Sequence, residues 1–149
     1  MFSRYFKIWN LWTLLCLASL QGAEVYEFIG HHLIANYLDC DKEALRDLDQ
    51  LEKIMEGAAK ASGATILSST KHIFPPDGLT MVILLSESHA SIHTYPEYRA
   101  CFIDFFTCGH SCDASKFEEM LAGYLKPQQA SKQLFLRNAD ILKESFPMR

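Results

Sequence analysis

Ser86-Glu87-Ser88-His89 joins a strand-like apolar run, residues 81–85, to the alternating segment Ser91-Ile92-His93-Thr94-Tyr95. A Glu-Ser bond held at a tight strand end, with a histidine five residues on and a thiol at Cys108, has the parts for a chain to cut itself and turn Ser88 into a pyruvoyl group. The hydroxyl of Ser88 would attack the carbonyl of Glu87 and give an ester through an N-to-O acyl shift. A base would then remove the serine α-proton, the ester would eliminate, and the dehydroalanine left behind would hydrolyse to pyruvoyl with loss of ammonia. Each step suits a strained peptide with a proton acceptor and an oxyanion donor close by. The products would be residues 1–87, or 23–87 if the first 22 residues are removed, and residues 88–149, the second with a blocked amino end. A carbonyl at position 88 condenses with an amine as a Schiff base and accepts the electron pair that decarboxylation leaves on an α-carbon, which no ordinary side chain does.

His93 is the candidate proton handler for that processing, because imidazole changes charge near neutral pH; the bland alternative is a satisfied histidine on a strand face. Cys108, between Thr107 and Gly109, is the candidate donor of a proton to the substrate carbanion, against the ordinary reading of a free cysteine as a small buried hydrophobe. His89 follows the scissile bond directly. A competing reading starts from Cys108-Gly109-His110-Ser111-Cys112, where two thiols and an imidazole could hold zinc in a small metal-binding or redox protein. A closed zinc site wants four ligands and usually paired Cys-x-x-Cys spacing. No second pair is present, and the main reading carries no metal.

Glu87-Ser88-His89, Ile92-His93-Thr94-Tyr95-Pro96-Glu97-Tyr98 and Asp104-Phe105-Phe106-Thr107-Cys108-Gly109 resemble the core signature of the prokaryotic S-adenosylmethionine decarboxylase proenzymes, which are pyruvoyl-dependent. Gly30-His31-His32-Leu33-Ile34-Ala35, Cys40-Asp41 and Ser62-Gly63-Ala64-Thr65-Ile66 extend the likeness over residues 28–125. The resemblance implies the roles given to Ser88, His93 and Cys108. It implies that Thr80 stands where a serine usually helps processing, and that Phe74 and Glu97 stack on adenine and bind ribose. It further implies a homodimer of processed α and β chains with active sites near the interface. Tyr95 departs from the tryptophan common at its position and Asn36 from a glutamate, so arginine or ornithine is the alternative substrate on the same fold. The expected product is decarboxylated S-adenosylmethionine, the aminopropyl donor for spermidine.

The elements that must hold these residues are those of one ordinary domain: 149 residues, 49% hydrophobic and 21% charged, with a net charge of −4. No basic block interleaved with aromatics suits a phosphate backbone, so nucleic acid is not an expected partner. Residues 1–22 carry Arg4 and Lys7 before an apolar run, the order of a secretory signal peptide. Export or a start codon assigned too far upstream both account for this leader, and the family resemblance points to the cytoplasm. The domain proper is then residues 23–149, and no membrane segment is expected beyond the leader. Five cysteines, an odd number, argue against a disulfide framework.

Residues 28–38 read as a first strand. From Lys42, Leu45, Leu48, Leu51, Met55 and Ala58 recur at three and four residues opposite charged positions, which predicts an amphipathic helix stopped by Gly63. Strands follow over 65–72, 79–85, 90–94 and 99–107, a second helix starts near Asp113 or Ser115, and residues 133–137 are a candidate last strand. Short links between the middle strands predict an α+β, two-layer sandwich: an antiparallel sheet with two main helices on one face. Its other face must be polar or meet a partner.

Overall fold

The computed structural model describes residues 29–108 and 110–138; the leader lies outside them. Six antiparallel strands form one sheet in the order β2-β3-β4-β5-β1-β6. They are β1 (Ile29–Leu38), β2 (Ile66–Phe74), β3 (Gly78–Leu85), β4 (Ser88–Tyr95), β5 (Ala100–Cys108) and β6 (Gln129–Asn138). Three helices, α1 (Lys42–Arg46), α2 (Leu48–Ala61) and α3 (Ala114–Leu125), accompany them, with a 3-10 turn at Pro96–Tyr98. The expected sandwich is present, and the elements are longer or divided where local signals competed.

The predicted first helix is two helices. Asp47 interrupts the run by accepting a hydrogen bond from the Gln50 amide, so it caps a new helix rather than continuing the old one. Asp41 caps α1 in the same way, and Asp113 caps α3. Gly63 adopts φ 95°, a conformation that disfavours a side chain, and a Cβ there would stand 2.9 Å from the Ser111 carbonyl oxygen. β2 runs on to Phe74, β4 begins at Ser88 itself, and β6 is twice the length of the segment its sequence suggested.

Period-two alternation divides the sheet cleanly. Leu33, Ala35 and Tyr37 of β1, Leu79, Met81, Ile83 and Leu85 of β3, Ala90 and Ile92 of β4, and Ile103 and Phe105 of β5 are buried beneath the helices. Leu45, Leu51, Met55, Ala58, Phe117 and Leu121 meet them from above, with Phe105 stacked on Phe117 at 4.3 Å between ring centroids. Each fully buried large side chain contributes about 1.5–3 kcal/mol, so this one layer holds the helices on the sheet. A polar tie crosses the same layer: Tyr37 Oη donates to Glu118 Oε1 at 2.5 Å and Lys132 Nζ to Glu118 Oε2 at 3.0 Å. Burial, reinforced by the bond to Glu118, drives the Tyr37 phenol well above its ordinary range, so it stays a donor.

Among the described residues, the opposite face carries no helix. It presents Thr80, Val82 and Leu84 of β3, His89, Ser91, His93 and Tyr95 of β4, and Phe102, Asp104, Phe106 and Cys108 of β5, in register across the ladders.

Candidate active site

The Glu87–Ser88 junction is clasped from two sides, by Thr65 and by Cys108. Ser86 N–H donates to the Thr65 carbonyl at 2.9 Å, and Thr65 N–H donates back to Glu87 Oε2 at 2.9 Å. Cys108 N–H donates to the Glu87 carbonyl at 2.9 Å. That carbonyl is the one an acyl shift would attack, so a backbone donor already points at the oxygen on which negative charge would develop. Ser88 takes φ 157°, at the far edge of extended backbone, and its Oγ lies 3.1 Å from His89 Nδ1. Across the ladder from Ser88, Thr107 is fully buried, and its hydroxyl has no hydrogen-bond partner among the described residues. Such a hydroxyl is costly to bury.

Cys108 is half-buried at the end of β5 and is paired in register with Gly30 of β1. On the same face the Phe106 ring lies 5.7 Å from that of His89, 5.3 Å from that of His32, and 4.5 Å beneath the Arg137 guanidinium. Nearby, burial raises the Cys112 thiol above its usual range and the Glu87 carboxylate adds to the effect, so this thiol stays protonated. Cys108, His110 and Cys112 do not form a metal cluster: among the described residues no three His, Cys, Asp or Glu side chains converge as ligands. The zinc reading has no support in the geometry.

A second group of predicted residues sits toward the other end of β4. Thr80 Oγ1 and His93 Nδ1 are hydrogen-bonded to each other across the β3–β4 ladder. Phe74 meets the His93 ring edge-on at 5.6 Å, and Tyr95 lies 4.5 Å from it. Phe74 is 45% exposed and lies on the open face, not in the core. Asn36 stands opposite Phe102 on the same face, and Glu97 is exposed in the 3-10 turn that follows β4.

Within one chain these two groups do not meet. Five steps along β4 lead from Ser88 to His93, roughly 16 Å at about 3.3 Å each. Between them lies a polar centre in which Asp104 accepts from Ser91 Oγ at 3.5 Å and sits 3.3 Å from His32 Nε2. Sequence reasoning missed Thr65, Thr107 and the Asp104 centre. Only the strand pairing reveals them, although alternation along 101–108 already separates Asp104 and Cys108 from the buried side.

The family model for S-adenosylmethionine decarboxylase matches residues 31–138. The chain belongs to the S-adenosylmethionine decarboxylase family. It is 46% identical over 101 residues to the S-adenosylmethionine decarboxylase proenzyme of Thermotoga petrophila, covering 68% of this chain and 78% of that protein. The protein of the same name from Methanococcus aeolicus is 41% identical over 99 residues, covering 66% of this chain and 85% of the relative. The crystal structure of the adenosylmethionine decarboxylase from Aquifex aeolicus superimposes with a TM-score of 0.70 at 32% identity, over 75% of this chain and 92% of that one. The matched region contains both groups of open-face residues. Among the described residues, no helix is long and apolar enough to cross a membrane.

Proposed function

We propose that this chain is a self-processing S-adenosylmethionine decarboxylase, cut between Glu87 and Ser88, whose Ser88 becomes a pyruvoyl group. The observation that carries the reading is the clasped junction: the Cys108 amide on the Glu87 carbonyl, and the Thr65 amide on the Glu87 side chain. Membership of a family whose relatives are named proenzymes supports it. Ser88 Oγ attacks the Glu87 carbonyl carbon while the Cys108 N–H stabilises the oxygen. As the ester forms, the peptide nitrogen leaves as the amine of residue 88. The pyruvoyl group, once formed, supplies an electrophilic carbonyl that condenses with the substrate amine and takes up the electron pair released with carbon dioxide. Cys108 Sγ–H returns a proton to the substrate α-carbon. Phe74 offers a ring face to the adenine, Tyr95 packs beside it, and Glu97 accepts from the ribose hydroxyls.

His93 serves the Ser88 of a second copy. Thr80 fixes its ring, exposed Phe102 stands beside it in the β4–β5 ladder, and Leu84 and Phe135 are exposed elsewhere on the same face, which carries no helix among the described residues. A homodimer joined through this face brings one copy's Thr80–His93 pair toward the other's junction, which a single chain does not do. The domain is residues 23–149, a β chain ending at Glu87 and an α chain beginning at Ser88, and it works in the cytoplasm, where S-adenosylmethionine is made.

Intact mass tests the cleavage: wild type resolves into two fragments, the second blocked to amino-terminal sequencing, and Ser88→Ala stays whole. Carbon dioxide release from S-adenosylmethionine, arginine and ornithine in parallel tests the substrate. A wild-type chain that remains uncut after long incubation overturns the reading. Preference for arginine or ornithine overturns the substrate alone, and fractionation of the full-length chain outside the cytoplasm overturns the compartment.

A further inference from the structure

Among the described residues, the Thr107 hydroxyl is the one buried side-chain oxygen or nitrogen without a hydrogen-bond partner. Other buried hydroxyls of the same layer are engaged: Ser62 Oγ donates to the Ala59 carbonyl at 2.7 Å, and Thr94 Oγ1 accepts from the Leu79 amide at 2.9 Å. A hydroxyl withdrawn from water with nothing to bond weakens a fold, and a native structure that keeps one calls for a reason. Its place in the sheet supplies one. Thr107 stands between Ser88 of β4 and His31 of β1, and residues paired in a ladder share a face. The Cys108 N–H is directed at β4, where it meets the Glu87 carbonyl. Successive amides point to opposite edges of a strand, so Thr107 and Ser88 form the kind of pair that has no backbone bonds between its members, with Cα atoms about 4.5 Å apart and side chains at their closest. The unbonded hydroxyl therefore lies beside the Glu87–Ser88 junction, on the helix side of the ladder, while Ser88 Oγ is engaged with His89 Nδ1.

We propose that Thr107 is a further catalytic residue of the self-cleavage, its hydroxyl the second donor, beside the Cys108 amide, to the carbonyl oxygen of Glu87. The inference rests on the reading that the chain cuts itself after Glu87. When Ser88 Oγ adds to the Glu87 carbonyl carbon, a C–O bond forms, the hydroxyl proton passes to the imidazole serving the junction, and the carbonyl π pair moves onto the oxygen. That oxygen leaves the peptide plane as the carbon turns tetrahedral. The Cys108 N–H lies within the ladder and meets the flat carbonyl; a donor standing to one side of the ladder, as the Thr107 hydroxyl does, meets the displaced oxygen. The carbonyl then re-forms, the C–N bond breaks, and the proton returns to the departing amine, so the step is an isomerisation that needs no further reactant. Full burial strengthens such a donor, because water neither competes for it nor screens the charge. A hydroxyl unbonded in the resting chain gains its partner only as charge develops. Its bond thus belongs to the transition state and not to the ground state, which is the condition for a contact to raise a rate.

The test follows cleavage and folding in the same variants. Uncut wild type, Thr107→Val and Thr107→Ser are diluted out of denaturant and the 88–149 fragment is followed by intact mass. Thermal unfolding is measured with each change placed in the uncut Ser88→Ala chain. Thr107→Val is expected to cut about a hundredfold more slowly, the cost of one lost oxyanion donor. It is also expected to melt about 3 °C higher, having lost a hydroxyl that bonds nothing at rest. Thr107→Ser keeps the donor and is expected to cut within about threefold of wild type, and to melt lower for want of a buried methyl. Slower cutting joined to a higher midpoint is a result that a purely structural threonine does not give. Cleavage of Thr107→Val at the wild-type rate overturns the role of Thr107 and leaves the self-cleavage reading standing. A lower midpoint in Thr107→Val, or no folded state at all, shows the hydroxyl to be bonded at rest and overturns the premise. A wild type that never cuts overturns that reading and this inference with it.

Discussion

Glu87→Ala removes one side of the clasp at the scissile bond and leaves the other intact. The lost contact is the bond from Thr65 N–H to Glu87 Oε2, 2.9 Å and exposed; the Cys108 N–H bond goes to backbone and survives any side-chain change. A hydrogen bond nets about 0.5–1.5 kcal/mol. At an exposed position the restraint lost is about 1 kcal/mol, close to a fivefold fall in the rate of a step that needs this geometry. Glu87→Gln keeps an acceptor oxygen at the same reach and is expected to cleave within about twofold of wild type, because the geometry and not the charge holds the junction. The assay dilutes uncut chains out of denaturant and follows the appearance of the 88–149 fragment by intact mass, fitting a single first-order constant for each variant. Thermal unfolding of each Ser88→Ala counterpart confirms equal folding. Wild-type cleavage in a folded Glu87→Ala would refute the clasp as a positioning device. Equal slowing in Glu87→Gln would refute the acceptor argument and point to the charge.

Tyr37→Phe leaves Glu118 Oε1 buried without its donor, so urea unfolding is expected to show a loss of about 2 kcal/mol. Since the folded phenol titrates above the unfolded one, the tyrosine's contribution is complete below about pH 10 and fades as pH rises beyond it. Stability measured against pH should show that alkaline loss in wild type and not in Tyr37→Phe. Thr80→Val, which removes the hydroxyl from His93, is expected to slow appearance of the 88–149 fragment about fivefold, and Thr80→Ser to stay within about twofold. Gly30→Ala would put a Cβ 2.5 Å from Phe106 Cε2 and 2.7 Å from Cζ, tilting the ring away from Arg137. Its thermal midpoint should fall by the equivalent of about 1 kcal/mol, the value of an exposed cation–π contact, and an unchanged midpoint would show that the ring moves without cost.

The layers of the sandwich were legible because their signals are local and periodic. Leu45, Leu51, Met55 and Ala58 announce a helix face by their spacing, and the apolar run over 81–85 announces a strand without telling which of its faces is buried. Asp47 was misread because an aspartate inside an amphipathic run looks like one more solvated position until its carboxylate is seen to cap the next turn. The junction was legible as a motif but not as a geometry. A spacing of five positions from Ser88 to His93 suggests proximity on paper, yet in a strand it means distance, and only the assignment of both to β4 makes that plain. The places of Thr65 and Thr107 beside the junction depend on which strands become neighbours. No local pattern encodes that, and pairing β1 with β5 brings together residues whose positions in the chain carry no hint of each other.

The strand order has a consequence for how long a processed molecule lasts. β1, β2 and β3 precede Ser88 and β4, β5 and β6 follow from it, yet β1 lies between β5 and β6. A break after Glu87 thus leaves neither piece with a sheet of its own: one keeps the β2–β3 hairpin and a strand stripped of both neighbours, the other the β4–β5 hairpin and an isolated edge. Before the break, a molecule that unfolds finds its partners again along its own chain. Afterwards it has to find them by diffusion among other molecules, at whatever dilution it happens to be. The service life of the mature form is then governed by its first complete opening, a rate and not an equilibrium.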